Sequence, residues 1–188
     1  ADEHRLLLVI HHVITDATSN HVLFEDLVAS YAALAAGTAP VLPPPGEPYA
    51  AFAARAAAAV PAPADVAFWQ ARLAGAPAEP GLPTDFPRPP EQSFRGAWRR
   101  RALPPGLTAA VRAAARERRT TPFVVLLAAY AAVLHRWSGA VDLVIGTPVE
   151  GRLEPGTERT VGLFINSLAL RIAAAGEAAF GEFVGHVD

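Results

Sequence analysis

An α/β fold is the class this sequence predicts, because runs with strand patterning alternate along the chain with runs of helical period. Three observations carry the prediction. Residues 4–10 end in a near-continuous apolar run, the pattern of a strand covered on both faces. Phe123–Leu134 is apolar without interruption and follows a threonine and a proline, the signature of a helix start. Apolar runs at 141–146 and 163–172 read as further strands.

After residue 10 a short polar segment leads into a helix from about Ser19 to Ala36. There Leu23, Leu27, Tyr31 and Leu34 keep helical spacing, and Gly37 supplies the C′ stop. The stretch Pro40–Pro48 is a turn-rich connector. Helices are expected over about 48–60 and 64–74, the second carrying Phe68, Trp69 and Leu73 and ending at Gly75. Residues 76–92 hold too many prolines for a helix or a central strand and mark a crossing segment. A strand near 94–102 and a weakly amphipathic helix, 105–118, with outward arginines follow. The next helix, 122–136, takes Thr120 or Thr121 as N-cap; apolar nearly all round, it is expected to be buried. The strands at 141–146 and 163–172 come next, and a last helix begins near Gly176. No internal repeat of fixed period is present.

Composition narrows the chemistry. The 188 residues carry a formal net charge of −2, six histidines, and 16 basic residues that are all arginine, with neither cysteine nor methionine. Thiolate nucleophiles, disulfides, Cys-based zinc sites and lysine Schiff bases are thereby excluded. Near-neutral charge argues against nucleic acid as the main partner, and Arg99-Arg100-Arg101 reads as a solvated strand end. The run Phe123–Leu134 is shorter than the roughly 20 residues that span a bilayer. No charged-then-apolar leader opens the chain, so a soluble, cytoplasmic protein is expected. Length suits a domain that buries roughly 70% of its unfolded surface, but Ala1 is not a translation start, so a piece of something longer is expected.

The densest polar constellation is His11-His12-Val13-Ile14-Thr15-Asp16, set between the first apolar run and a helix. Loops at such junctions are exposed while their flanks are held, and functional groups gather there. An imidazole, with an ordinary pKa of about 6.5, takes and returns a proton near neutrality. Asp16 stands at a helix N-terminus, where its charge is favoured, or turns back to fix the loop through a buried arginine. The residues alone leave two readings open: a proton-handling site, or a capping aspartate behind two loop histidines without chemistry. A metal site is disfavoured, since adjacent histidines rarely converge on one ion and no third imidazole stands at ligand spacing.

Two more segments stand out. Gly146-Thr147-Pro148-Val149-Glu150-Gly151-Arg152 follows a strand and ends in an arginine among turn residues. Val161–Arg171 is a strand in which alternation puts Asn166 on one face with Phe164, Leu168, Leu170 and Ile172. An amide on a buried face must find partners, so it ties down backbone or addresses a ligand. There is no G-x-S-x-G elbow, P-loop or G-x-G-x-x-G, and no evident covalent nucleophile.

Together these segments resemble the condensation domains of nonribosomal peptide synthetases. His11, His12 and Asp16 match that family's H-H-x-x-x-D-G motif. Gly146–Arg152 matches G-[TS]-P-V-x-x-R, and Val161–Ser167 matches [IV]-G-x-F-[VI]-N-[TS]. F-W-x-x-x-L-x-G at 68–75, L-P-T-D-x-P-R-P at 82–89 and S-F-R-G at 93–96 extend the likeness over nearly the whole chain. The sequence departs at Ala17, where the family has glycine, at Thr18-Ser19, where tryptophan is common, and at Ala51, where Y-x-D-[FY]-A has aspartate.

The resemblance implies a chloramphenicol-acetyltransferase-like fold, two subdomains in a V with the active site between them, present here only in part. Residues 1–75 would be the C-terminal part of the first subdomain, 76–92 the crossing segment and 93–188 the first half of the second. His12 would be the catalytic histidine and His11 its support. Asp16, also in the catalytic motif, would be mainly structural and paired with Arg152. Asn166 would line the channel near the reaction centre, and a methyl at Ala17 would narrow the acceptor side.

The implied reaction is attack of an acceptor aminoacyl amine on a donor acyl thioester. No cofactor would be bound; both substrates would ride on phosphopantetheine arms of partner carrier domains. The partners would be donor and acceptor peptidyl carrier domains and an adjacent adenylation domain, with neither nucleic acid nor membrane. The isolated piece is expected to be inactive. Related readings are a CoA-dependent O- or N-acyltransferase, an epimerising domain using the same histidines, and a domain kept only for docking.

Overall fold

A computed structural model of the chain describes residues 3–79, 81–87, 89–174 and 179–187. A 3-10 turn at His12–Ile14 leads into α1 (Ala17–Ala35), followed by α2 (Tyr49–Ala58), α3 (Pro63–Leu73), α4 (Pro105–Glu117) and α5 (Pro122–Ser138). Strands β1 (Asp142–Glu150) and β2 (Ile165–Ala173) form a two-stranded sheet, and α6 (Phe180–Val187) closes the order. The Ala174 amide donates to Val141, while Gly151 lies against the Phe164 carbonyl, so the strands run antiparallel.

Local signals set the helix ends. The Asp16 side chain caps α1 by accepting from the Ser19 amide. At the other end Gly37, at φ +74°, lets its amide reach Leu34 and that of Thr38 reach Ala33, the two bonds of a Schellman stop. Thr121 rather than Thr120 caps α5, accepting from Val124 at 3.3 Å, with Pro122 at the first helical position.

The chain divides into two compact units. One comprises Ala67–Gly146 with Ala169–Asp188, and its apolar core lies around α5. There Ala128 and Ala131 are fully buried, and α5 packs on α4 and α6 with Leu143, Ile172, Phe183 and Val184 filling the interior. Arg171 forks onto Asp142 at 2.7 and 3.0 Å and donates to the carbonyls of Arg72 and Ala74, stopping α3 with a charged cap. Hydrogen bonding from Arg171 holds the Asp142 carboxyl below its ordinary range.

The other unit, Ala1–Val66 with Thr147–Leu168, has a polar interior. Its buried side chains include Thr15, Asp16, Ser19, Thr157 and Thr160, with only Val22 and Phe164 as buried apolar residues among those described. All the residues singled out for chemistry lie here.

Several sequence expectations need correction. The runs at 4–10 and 94–102 are not strands, and Leu7 is 84% exposed. A strand is completed by a neighbour's amides and carbonyls, which an apolar run cannot supply for itself. Helix α5 is buried on one side only: Phe123, Leu126, Tyr130, Val133 and Trp137 are exposed. In α1 the apolar stripe behaves likewise, with Leu27, Tyr31 and Leu34 exposed. The expected last-helix start at Gly176 lies outside the described residues. Among those described, no helix is long and apolar enough to cross a membrane.

Candidate active site

The histidine pair sits on the tight turn that precedes α1. His11 opens the turn as its N-cap: its Nδ1 accepts the Val13 amide at 3.1 Å, so that nitrogen carries no proton. His12 is oriented differently. Its Nδ1 lies 2.7 Å from the Thr15 carbonyl oxygen, which can only accept, so Nδ1–H donates. In the neutral ring the lone pair therefore belongs to Nε2, the outer nitrogen of an exposed side chain.

What holds this turn is a buried charged hub. Arg152 follows β1, its side chain 4% exposed, and Asp16 is 2% exposed. The guanidinium donates to Asp16 Oδ1 at 2.9 Å, to Ser19 Oγ at 2.7 Å, and to the carbonyls of Thr157 at 2.6 Å and Thr160 at 2.7 Å. The Phe164 ring lies 3.9 Å beneath its central carbon, a cation–π contact. Asp16 also accepts the Ser19 amide at 2.7 Å and the Phe164 amide at 3.1 Å. Burial pushes the Asp16 carboxyl up. The bonds it accepts from Ser19, Arg152 and Phe164 outweigh burial and hold it at about 2.

The hub is braced from outside. The Ser19 hydroxyl donates to Gly162, and Tyr49 donates to the Leu163 carbonyl at 2.7 Å. The rings of Tyr49, Phe52 and Phe164 pack at centroid distances of 4.5–5.9 Å. Arg159 ties the same loop to Glu25 and Asp26 on α1. The start of α1, the end of β1 and the entry to β2 are thus locked together within one unit. A rigid mount for a reactive side chain is what catalysis by positioning needs.

Of the residues singled out from sequence, the structure joins Asp16 to Arg152 directly, with His11 and His12 on the turn just before them. Ala17 is the first residue of α1 and is exposed. Asn166 corrects the alternation argument: it is exposed, not on a buried face, and its side-chain oxygen accepts the Ser167 amide at 2.8 Å. Phe164 and Ile172, on that same alternating face, are buried, but the face is open at Asn166.

Sequence reading missed Ser19, Phe164, Thr157 and Thr160 as parts of the hub. Ser19 had a signal, the cap spacing after Asp16; the carbonyl acceptors had none, because any residue supplies a carbonyl.

A cavity of about 220 Å³ opens beside the hub, lined by Asp16, Ala17, Thr18, Pro148, Val149, Glu150 and Ile165. A larger concavity of about 710 Å³ in the other unit is walled by Phe68, Arg72, Asp142 and Arg171. Its Asp142–Arg171 pair is already mutually satisfied and caps α3, so the chemistry is better sought at the smaller one. Among the described residues no three histidine or carboxylate side chains gather into a metal-ligating group.

Comparison with known proteins supplies the family. The family model described as "Condensation domain" matches residues 1–188. The phosphinothricin tripeptide synthetase PhsC of Streptomyces viridochromogenes is 40% identical over 189 residues, covering 99% of this chain and 17% of that protein. The solved SgcC5 protein of Streptomyces globisporus superposes with a TM-score of 0.80 at 38% identity, covering 94% of this chain and 40% of that one. The first condensation domain of the CDA synthetase gives a TM-score of 0.74 at 29% identity, covering 95% of this chain and 39% of that one. The chain therefore spans a small part of the synthetase and about two fifths of the solved chains it matches.

Proposed function

The chain belongs to the condensation-domain family, and from that membership we propose that it takes part in amide-bond formation between a carrier-bound acyl or peptidyl thioester and a carrier-bound aminoacyl amine. Its fold is the α/β, chloramphenicol-acetyltransferase-like one, present in part. The subdomain boundaries 1–75, 76–92 and 93–188 belong to the same proposal. So do the phosphopantetheine-borne substrates, the two carrier domains, the adjacent adenylation domain and a cytoplasmic setting.

The observation that carries the proposal is the His12 ring, whose Nδ1–H is spent on the Thr15 carbonyl and whose Nε2 keeps the lone pair on an exposed residue. In the reaction the amine lone pair attacks the thioester carbonyl carbon, a C–N bond forms and the carbonyl π pair moves to oxygen. When the tetrahedral intermediate collapses, the C–S bond breaks and the thiolate leaves. The nitrogen passes one proton to Nε2, which hands it to the thiolate, so the imidazole ends neutral. Alternatively Nε2 holds the amine in line by accepting its N–H; the ring geometry serves both roles. His11, Asp16 and Arg152 act as positioning residues, and the exposed amide of Asn166 is offered as channel lining.

The test is a complete condensation domain supplied with both carriers loaded. A dipeptidyl thioester on the acceptor carrier, formed only when both carriers are loaded, is the expected result. Acyl transfer from acyl-CoA to a free alcohol without carriers would overturn the proposal. Exchange of an α-proton into deuterated water without bond formation would overturn it in favour of epimerisation.

A further inference from the structure

The 220 Å³ cavity beside α1 carries an unbalanced charge. Ala17, Pro148, Val149 and Ile165 give its lining an apolar part, and Asp16, Thr18 and Glu150 a polar one. Glu150 is the exposed polar member, at 59%, and its Oε1 accepts the Thr18 hydroxyl at 2.7 Å. Oε1 also lies 3.5 Å from Arg152 Nε, which is buried and without a hydrogen bond among the described residues. The remaining nitrogens of that guanidinium are spent on Asp16, Ser19 and the two threonine carbonyls. Asp16 and Glu150 thus share one cation, leaving a net charge of −1, and the exposed member is Glu150. Its second oxygen, Oε2, takes no hydrogen bond among the described residues.

We infer that this cavity seats an ammonium on a short aliphatic stem, with Glu150 as its specificity-determining residue. An anion would face the exposed Glu150 carboxylate, whose one cation is shared with Asp16. An uncharged apolar group would strip water from Glu150 and return nothing, whereas a cation replaces that water with a charge-assisted hydrogen bond. Size agrees. The volume is below the roughly 300–1,000 Å³ of pockets that enclose whole ligands, so it fits a side chain rather than a complete substrate. Thr18 holds Oε1 and leaves Oε2 for the incoming cation. Resting on the proposed condensation reaction, the inference makes the preferred substrate unit one whose side chain ends in a primary amine, on the donor or the acceptor arm.

The experiment measures competition, by the complete domain, between carrier-loaded units with 3-aminopropyl and with propyl side chains, each tried on the donor and on the acceptor. Wild type is expected to prefer the ammonium unit about tenfold in one of the two positions, the order of a single charge-assisted contact. Glu150→Gln should bring the ratio close to one, and Glu150→Lys should invert it. A ratio near one in wild type, or a preference that survives Glu150→Gln, overturns the inference. If neither unit turns over, the reaction assignment has failed, and the cavity is then judged by binding alone. Binding of n-butylammonium to the complete domain, followed by ligand-observed NMR, should be lost in Glu150→Gln and weakened by salt. Equal binding to both proteins overturns the inference.

Discussion

Replacing Arg152 with methionine keeps an unbranched apolar stem and removes the guanidinium at the centre of the hub together with its charge. Four hydrogen bonds disappear with it, to Asp16, Ser19, Thr157 and Thr160. The larger effect is on Asp16, left as a 2%-exposed carboxylate whose remaining donors are the amides of Ser19 and Phe164. Removing one partner of a buried pair costs about 3–5 kcal/mol. That is comparable with half of the roughly 5–15 kcal/mol holding a typical domain folded. Individual bonds to charged groups, at about 1.5–3 kcal/mol each, would sum to more, but they share one side chain and do not add. Urea denaturation of the complete domain reads the loss as a lowered midpoint. Adding Asp16→Asn to Arg152→Met should return about 1–2 kcal/mol, because the stranded charge goes with it. A loss below about 1 kcal/mol for Arg152→Met, or no recovery in the double variant, would refute the view that this pair anchors the histidine turn.

Other consequences follow from the same contacts. The Asp16 carboxyl, held at about 2 against an ordinary 3.8, contributes about 2 kcal/mol that is complete above pH 5. As pH falls through the folded value the contribution disappears, so acid denaturation of Asp16→Asn should show a shallower pH dependence between about 4 and 2. Gly162→Ala would drive a methyl into the Tyr49 ring, which its hydroxyl and two neighbouring rings keep in place. A loss of about 1–3 kcal/mol in thermal or urea melts is expected, against less than about 0.5 kcal/mol for Gly146→Ala in open space. Thr121→Ala removes the α5 cap and should cost about 1 kcal/mol by the same measurement.

Helices were legible in the sequence because their signals are local. The prolines at 105 and 122, the cap at Thr121 and the glycines at 37 and 139 lie within a turn of the ends they define. Strands were legible only where a partner happens to follow, as 141–146 and 163–172 did. The equally apolar run at 4–10 gave no sign that it lacks a neighbour. Burial was read too generously in α5, since an apolar surface all round states what a helix can bury and not what is available to cover it. In the site, the motif spacing located Asp16 and Arg152, 136 positions apart, through family likeness, whereas residue chemistry alone would have left the arginine's partner open. The tautomer of His12 depends on a backbone carbonyl at Thr15, and the cavity charge on which carboxylate Arg152 satisfies first. Both depend on groups brought together only by folding, which a linear pattern does not hold.

On the proposed reaction, His12 Nε2 takes the proton of the attacking amine or holds that amine in line, on a mount built by the hub. A single-turnover measurement with both carriers loaded, comparing wild type with His12→Ala in the complete domain, tests it most directly. A loss of about 10²–10⁴-fold in the rate of amide formation is expected, with stability lowered by no more than about 0.5–1.5 kcal/mol, the worth of the bond to the Thr15 carbonyl. An unchanged rate would contradict it.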